Sequence, residues 1–217
     1  MVSLNKSIKE FFYKDLGFIV FNGVYEPSDD TFLIAENLHV EEGDVVLDVG
    51  TGCGILAVLS AFKASRVIAA DINPIAVKCA KANAGRNGVL EKIDFICGDL
   101  LRPLRKGVSF DLVLFNAPYL PVEEEPKDWV EYSWFGGRSG RETIRKFIET
   151  VSEYVKIEGR IMLVQSSLSN IDETLIDFRE RGFKADIVAE KRFFFETIML
   201  IEAIKELNSP FFFKLNF

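Results

Sequence analysis

Strand-like and helix-like segments alternate along the chain from residue 44 onward, and this alternation constrains the fold more than any other feature. Short runs of β-branched and aliphatic residues indicate buried strands, and the segments between them have apolar residues at helical spacing. Strands joined by helices pair in parallel, and such a sheet needs helices on both faces. The sequence therefore predicts an α/β protein built on one mostly parallel sheet.

Seven segments have the composition of strands. In chain order they are DVVLDVG, RVIAAD, KIDFICGD, FDLVLFN, GRIMLVQS, FKADIVAE and FFFETIMLIEAI. The helices among them are predicted at GILAVLSAFK, NPIAVKCAKANAGRNG, RETIRKFIETVSEYV and NIDETLIDFRERG, with Asn73 and Ser169 as N-caps of the second and fourth. The short KR turn before the last strand leaves no room for a crossover, so the last strand is predicted to run antiparallel to the rest.

The chain is predicted to form one domain over residues 1–217, with a short extension over about the first 40 residues. Residues 1–17 are predicted as a helix whose apolar stripe contains Phe11, Phe12 and Leu16. Residues 18–27 are strand-like, and a further helix is predicted in SDDTFLIAENL after Ser28 as N-cap.

Composition excludes several classes of function. The formal net charge of −7 argues against a general nucleic-acid binder, which needs basic residues to neutralise phosphates. One histidine and three widely spaced cysteines argue against an intrinsic metal site and against a disulfide framework, which fits a reducing compartment. No signal peptide or membrane-spanning run is visible, so we expect a cytoplasmic protein without a membrane partner.

Glycines and acidic residues follow three successive predicted strands, where ligands of open α/β sheets bind. Asp48 precedes a glycine-rich turn that contains Gly50, Gly52 and Gly54, and Asp71 and Asp99 end the next two strands. Carboxylates at this edge repel a pyrophosphate but suit a ribose diol and a cation. The pattern favours S-adenosylmethionine, although each aspartate alone also fits an N-cap or a turn former.

The most apolar strand ends on a polar residue. FDLVLF is followed by Asn116, Ala117, Pro118 and Tyr119, and the proline prevents the strand from continuing. The simplest interpretation of Asn116 is a residue that terminates the strand. The alternative is a functional amide held at the ligand-binding edge of the sheet.

The sequence NAPY and the glycine turn together resemble the Rossmann-like class I S-adenosylmethionine methyltransferases that modify planar amino groups. Two groups share the pattern Asn-or-Asp, Pro, Pro, Tyr: the adenine-N6 methyltransferases and the HemK-type enzymes that methylate a glutamine amide in class I release factors. GVYEPSDDTFLIAENL and WFGGRSGRETIRKFI resemble the archaeal and eukaryotic branch of the HemK-type enzymes. The similarity extends over about residues 20–204, and it departs from the pattern at Ala117, where the family usually has proline.

The resemblance implies roles for individual residues. The side-chain oxygen of Asn116 and the backbone carbonyl of Ala117 would accept the two N–H groups of the substrate amide, Pro118 would stiffen the turn, and Tyr119 would stack on the substrate. The cofactor would be held by Thr31, Asp48, Gly50, Gly52, Gly54, Asp71, Asp99 and Leu100, without a metal.

The motif alone does not separate a glutamine amide from adenine N6 in DNA or RNA, since both offer a planar NH₂ group. The negative net charge and the glutamates of PVEEEPKDW favour a protein substrate, namely the Gly-Gly-Gln loop of a class I translation release factor. A scaffold without activity is a third alternative, against which the acidic residues and Asn116 argue.

The resemblance also implies a small zinc-binding activator subunit. The KIDFICGD strand is predicted at an outer edge of the sheet, so the activator is expected to bind around Ile93–Cys97 by adding a strand. The Phe-rich segment PFFFKLNF at residues 210–217 is the alternative cover for an apolar surface.

Overall fold

Seven strands form the predicted sheet, and a two-stranded hairpin precedes it, in the computed structural model, which describes residues 9–207. The strands are β1 (Lys9–Tyr13), β2 (Leu16–Val20), β3 (Val45–Val49), β4 (Arg66–Asp71), β5 (Ile93–Cys97), β6 (Phe110–Asn116), β7 (Val155–Ser166), β8 (Phe183–Arg192) and β9 (Thr197–Lys205). The α-helices are α1 (Asp29–Asn37), α2 (Ile55–Ala61), α3 (Pro74–Arg86), α4 (Trp129–Trp134), α5 (Glu142–Val151) and α6 (Ile171–Glu180). No helix within residues 9–207 has the length and apolar character that crossing a lipid bilayer requires.

The strand order in the sheet is β5-β4-β3-β6-β7-β9-β8. The first five of these strands pair in parallel, whereas β9 runs antiparallel to both of its neighbours, β7 and β8. This topology confirms the prediction of a seven-stranded, mostly parallel sheet with an antiparallel last strand. Strand β5 lies at one outer edge of the sheet, as predicted, and β8 lies at the other.

The central strand β6 carries apolar side chains into a core on each face of the sheet. Leu112 and Leu114 pack on one face, and Val113 and Phe115 pack on the other. All four are at most 2% exposed, because helices cover both faces. The strand then ends at Asn116, so this amide lies at the carboxyl edge of the sheet.

The predicted N-terminal helix is wrong for residues 9–17, which belong to the β1–β2 hairpin; residues 1–8 lie outside the described part of the chain. The Phe11 and Phe18 rings stack across the hairpin with centroids 5.3 Å apart. Asn83 of α3 accepts a hydrogen bond from the Ile19 N–H and donates one to the Ile19 carbonyl, at 2.8 Å each. These contacts with residues distant in sequence override the local helical spacing.

One predicted helix cap and one turn also need correction. Asn170, rather than Ser169, caps α6 by accepting a hydrogen bond from the Glu173 N–H. Ser28 is the N-cap residue of α1, as predicted, although its side chain makes no capping hydrogen bond. Asn73 caps α3, as predicted. The KR pair does not form the last turn, because Arg192 pairs with Thr197 and the turn consists of residues 193–196.

Candidate active site

A cavity of about 340 Å³ opens at the carboxyl edge of the sheet, where β3, β4, β5 and β6 end. Ten of the twelve predicted site residues line it: Thr31, Gly50, Gly52, Asp71, Asp99, Leu100, Asn116, Ala117, Pro118 and Tyr119. Asp48 and Gly54 do not. The fold therefore brings together residues from 31 to 119 that are far apart in the sequence.

The glycine turn between β3 and α2 has left-handed backbone at all three glycines, with φ of 66° at Gly50, 57° at Gly52 and 84° at Gly54. A side chain is strained in this conformation. At Gly54 a Cβ atom would also lie 2.7 Å from the Cβ of Ala80. Gly54 therefore allows α3 to pack closely against the turn, whereas Gly50 and Gly52 form the cavity wall.

Asp48 lies beneath the glycine turn and is 1% exposed. Its Oδ2 atom accepts hydrogen bonds from Thr51 Oγ1 at 2.6 Å and from the Ala57 N–H at 3.1 Å. Burial raises the pKa of Asp48 to about 7, although both hydrogen bonds lower it. These bonds hold the turn in shape and support the interpretation of Asp48 as a turn former; its predicted contact with the cofactor stays a prediction.

Asp71 connects the end of β4 to two neighbouring turns and also lines the cavity. Its Oδ2 atom accepts a hydrogen bond from the Gly52 N–H, and its Oδ1 atom accepts one from the Asn73 N–H, both at 2.8 Å. Burial raises the pKa of Asp71, and the two N–H donors lower it. The carboxylate is thereby fixed at the cavity wall, and its remaining lone pairs can accept bonds from a hydroxyl group.

Asp99 and Leu100 form the cavity wall after β5. The Asp99 side chain is 45% exposed and pairs with Arg102 at 3.2 Å. Leu100 has a φ of 47°, a left-handed conformation that is unusual for a residue with a side chain. The strained backbone belongs to the cavity wall, and the predicted contact of Asp99 and Leu100 with the cofactor stays a prediction.

The orientation of the Asn116 amide is set by its neighbours. The Thr31 hydroxyl donates a hydrogen bond to Asp30 Oδ1 at 3.2 Å, so the Thr31 oxygen accepts a hydrogen bond from Asn116 Nδ2 at 3.0 Å. Asn116 Oδ1 is buried without a hydrogen-bond partner, and Gln165 Oε1 is the one other such side-chain atom in residues 9–207. A buried acceptor of this kind costs free energy unless a ligand satisfies it.

Asp30 connects this amide to two tyrosines. The carboxylate is 5% exposed, and its Oδ2 atom accepts hydrogen bonds from the hydroxyls of Tyr25 at 3.0 Å and Tyr119 at 3.3 Å. Burial first, and then the Asp30 charge, raise the pKa of both tyrosines. Asp30 thus holds Tyr119 and, through Thr31, Asn116 in one hydrogen-bonded network.

The segment after Tyr119 is hydrogen-bonded to the last residue of α4 and to the residues that follow this helix. The Leu120 N–H donates to the Trp134 carbonyl at 3.1 Å, and the Gly136 N–H donates to the Leu120 carbonyl at 2.9 Å. Gly140 packs so closely that a Cβ atom there would lie 2.5 Å from the Tyr119 carbonyl oxygen. The WFGGRSG segment therefore packs against Tyr119 and Leu120 and holds the end of the NAPY turn in place.

Comparison with known proteins agrees with this geometry. The family described as ribosomal protein L11 methyltransferase (PrmA) matches residues 31–118. A putative protein N5-glutamine methyltransferase of Methanocaldococcus jannaschii is 38% identical over 183 residues, which are 83% of this chain and 91% of the relative. The chain belongs to the HemK-type protein-glutamine methyltransferases. The family resemblance and the enzyme class predicted from the sequence are thereby confirmed.

Two further relatives support the HemK-type assignment. Methyltransferase HEMK2 of Homo sapiens is 31% identical and covers 89% of this chain and 95% of its own length. A solved structure of the E. cuniculi Mtq2-Trm112 complex, which is responsible for the methylation of the eRF1 translation termination factor, has a TM-score of 0.67 and 28% identity. It covers 85% of this chain and 99% of that chain. The Rossmann-like methyltransferase fold is confirmed.

Sequence reasoning missed several cavity residues of this HemK-type chain. Tyr25 and Asp30 both lie in GVYEPSDDTFLIAENL, which indicates the family resemblance, but no role was predicted for either of them. Trp129 and Tyr132 of α4 also line the cavity and are 38% and 42% exposed. The signal that could have found them is the cluster of aromatic residues in DWVEYSW, which begins nine residues after Tyr119.

Proposed function

We propose that this protein transfers a methyl group from S-adenosylmethionine to the side-chain amide of a glutamine, in the Gly-Gly-Gln loop of a class I translation release factor. The observation that carries the proposal is the buried Asn116 Oδ1 atom, which has no hydrogen-bond partner among residues 9–207 and belongs to a residue that lines the cavity. A substrate N–H group is the hydrogen-bond donor that this acceptor would take up.

The chemistry of an amide explains why such an acceptor is needed. An amide nitrogen is a poor nucleophile, because its lone pair is delocalised into the carbonyl group. When two acceptors bind the two N–H groups, the lone pair of the nitrogen faces away from these acceptors and toward the methyl donor. Asn116 Oδ1 supplies one acceptor, and the backbone carbonyl of Ala117 is proposed as the other. The network from Asp30 through Thr31 keeps the Asn116 oxygen, rather than its NH₂, available to the substrate.

The residues present fit S-adenosylmethionine, which supplies an electrophilic methyl group when bound. Asp71 offers a fixed carboxylate for the ribose hydroxyls, and the glycine turn lets the backbone approach a ligand closely. Thr31, Asp99 and Leu100 complete the set that we propose for the adenosine and methionine parts. Asp48 supports this set from beneath the turn.

A protein substrate fits the surface better than a nucleic acid does. Glu123, Glu124 and Glu125 follow the NAPY turn and are exposed, and the formal net charge of the chain is −7. Phosphates are repelled by such a surface, while basic residues of a protein are attracted. Adenine N6 in DNA or RNA is the second candidate, since it also presents a planar NH₂ group.

We also propose that a small zinc-binding activator binds the free edge of β5. Ile93 is 5% exposed, and Phe95 is half-buried against the core, so these two apolar side chains already pack on the core of this protein. Among residues 9–207 no strand pairs with the outer backbone edge of β5, and this edge can therefore accept an added strand. A two-protein complex is named for the E. cuniculi neighbour, which supports a partner for this chain as well. The Phe-rich segment 210–217, the alternative cover, lies outside the described residues.

The test is transfer of a radiolabelled methyl group to purified release factor and to DNA, followed by peptide mapping. We expect label on the glutamine of the Gly-Gly-Gln loop and none after that residue is replaced by asparagine, because a side chain shorter by one methylene does not reach the acceptors. Label on adenine with none on the factor would favour the second candidate.

A further inference from the structure

The turn between β8 and β9 carries three consecutive exposed phenylalanines, Phe193–Phe195, here called the phenylalanine tip. Phe194 is 92% exposed and Phe195 is 85% exposed. Their rings contact each other edge to face, with centroids 4.6 Å apart. Nothing in the cofactor or amide chemistry uses these side chains, and an exposed aromatic cluster of this kind marks an interaction site.

The phenylalanine tip lies at the same edge of the sheet as the cavity. Asn116 pairs with Val164 near the carboxyl end of β7, and Ser166 at the end of β7 pairs with Ile198, just after the tip. The Ser166 hydroxyl donates to the Glu196 carboxylate at 2.7 Å. Glu196 is in turn close enough to Tyr119 to raise its pKa, after the larger effects of burial and Asp30.

A second contact connects the tip to the cavity rim. Lys191 Nζ lies 2.7 Å from Asp29 Oδ1 at the start of α1, and the next residue, Asp30, lines the cavity. The Arg192 guanidinium lies 2.7 Å from Glu190. The cations beside the tip are therefore paired, and what remains exposed at its end is apolar rather than charged.

We propose that the phenylalanine tip is a docking surface for the protein substrate, and that it contacts an apolar patch beside the loop that carries the acceptor glutamine. This inference rests on the proposed function. A macromolecular substrate that inserts one side chain into the cavity necessarily covers the rim of the cavity, and the tip lies beside that rim, at the same edge of the sheet. The edge-to-face pair offers a large apolar area with few rotatable bonds, which is typical of residues that dominate binding.

The proposed activator would not cover the tip. It is assigned to β5, and five strand spacings separate β5 from β9 in the sheet, or about 24 Å. The two surfaces therefore lie toward opposite ends of the sheet. A complex of enzyme and activator would leave the tip free for the substrate.

The test compares the double variant Phe194→Ala/Phe195→Ala with Phe62→Ala, both prepared with the activator. Phe62 is also a large exposed side chain, at 51%, but it follows α2, which runs from the glycine turn away from the cavity edge. We expect the KM for intact release factor to rise roughly tenfold or more in the double variant. Its kcat and its affinity for S-adenosylmethionine should stay within about twofold of wild type, and Phe62→Ala should leave all three unchanged.

The outcomes separate this inference from the proposed function. If the wild type does not methylate the release factor at all, the proposed function fails and the docking surface fails with it. If the wild type is active and the double variant has an unchanged KM, the docking surface alone is refuted. It is refuted as well if the double substitution only converts a dimer into an active monomer in sedimentation, or if it weakens methylation of single-stranded DNA instead of the factor.

Discussion

Replacing Asp30 with asparagine tests whether the orientation of Asn116 is set by the network behind it. Asp30 accepts four hydrogen bonds: from the Thr31 N–H at 2.6 Å, from the Thr31 hydroxyl at 3.2 Å, and from the hydroxyls of Tyr25 and Tyr119. An asparagine has the same shape but offers one acceptor oxygen and no charge. In this variant the hydrogen bond from the Thr31 hydroxyl to residue 30 is weaker, so the hydroxyl has a smaller preference for directing its proton away from Asn116.

The size of the effect follows from these contacts. A hydrogen bond to a charged group contributes about 1.5–3 kcal/mol, against about 0.5–1.5 kcal/mol for a neutral one. Only the bond from the Thr31 hydroxyl sets the orientation of that group, because the Thr31 N–H belongs to the backbone and cannot turn. Weakening the hydroxyl bond by about 1 kcal/mol removes about 1 kcal/mol of the preference for the productive orientation. We therefore expect kcat to fall roughly fivefold in Asp30→Asn, because about 1.4 kcal/mol corresponds to a factor of ten.

The assay is steady-state methyl transfer to the release factor, with unfolding monitored by circular dichroism in parallel. Tyr25→Phe is the matched control, because it removes one hydrogen bond to the same carboxylate and leaves the bonds from Asp30 through Thr31 to Asn116 intact. We expect this control to lose about 1.5–3 kcal/mol of stability, because its lost bond also goes to the carboxylate, and to keep its kcat. A folded Asp30→Asn enzyme with wild-type kcat would refute the reasoning.

Three further predictions concern the cofactor, the glycine turn and the partner. Asp71→Ala should weaken S-adenosylmethionine binding by about 1.5–3 kcal/mol in calorimetry, since a charge-assisted contact is lost; unchanged affinity would place Asp71 outside the site. The pKa of Asp48 rises from 3.8 in the unfolded chain to about 7 in the fold, so unfolding releases a proton between these values. The free energy of unfolding should therefore fall by up to about 4 kcal/mol as the pH rises from 4 to 7, and Asp48→Asn should flatten this slope in denaturant titrations; equal slopes would contradict the shift. Expression alone should give a less soluble and less active protein than coexpression with the activator, and Phe95→Pro should block the rescue if circular dichroism shows an intact fold. A soluble, fully active monomer would refute the need for a partner.

The sequence was most informative where local pattern and global fold agree. The β6 segment FDLVLFN has apolar side chains on both faces and a proline two residues beyond its end, so the strand, its burial and the position of Asn116 all followed from residue type. Prediction failed at residues 9–17, where the hairpin depends on Asn83, more than 60 positions away. Spacing along the chain contains no information about such a contact.

Within the site, the sequence indicated the cavity residues but not the hydrogen bonds among them. The position of Asp48 beneath the turn depends on how Thr51 and Ala57 fold back over it. The connection from Asp30 to Asn116 joins residues that are 86 positions apart, and it becomes visible only when α1 lies beside the end of β6. Both features arise from packing between elements rather than from any local pattern.

The most direct test of the central claim compares two buried amide oxygens that have no hydrogen-bond partner among residues 9–207, Asn116 Oδ1 and Gln165 Oε1. Asn116 lines the cavity, whereas Gln165 does not. The measurement is the mass of the release-factor peptide that contains the Gly-Gly-Gln glutamine, after reaction with wild type, Asn116→Ala and Gln165→Ala, together with calorimetry of S-adenosylmethionine binding. We predict that Asn116→Ala adds no methyl group while its cofactor affinity stays close to wild type, and that Gln165→Ala still methylates the peptide. Methylation by Asn116→Ala at the wild-type rate, or loss of cofactor binding by a folded Asn116→Ala protein, would contradict the role assigned to this amide.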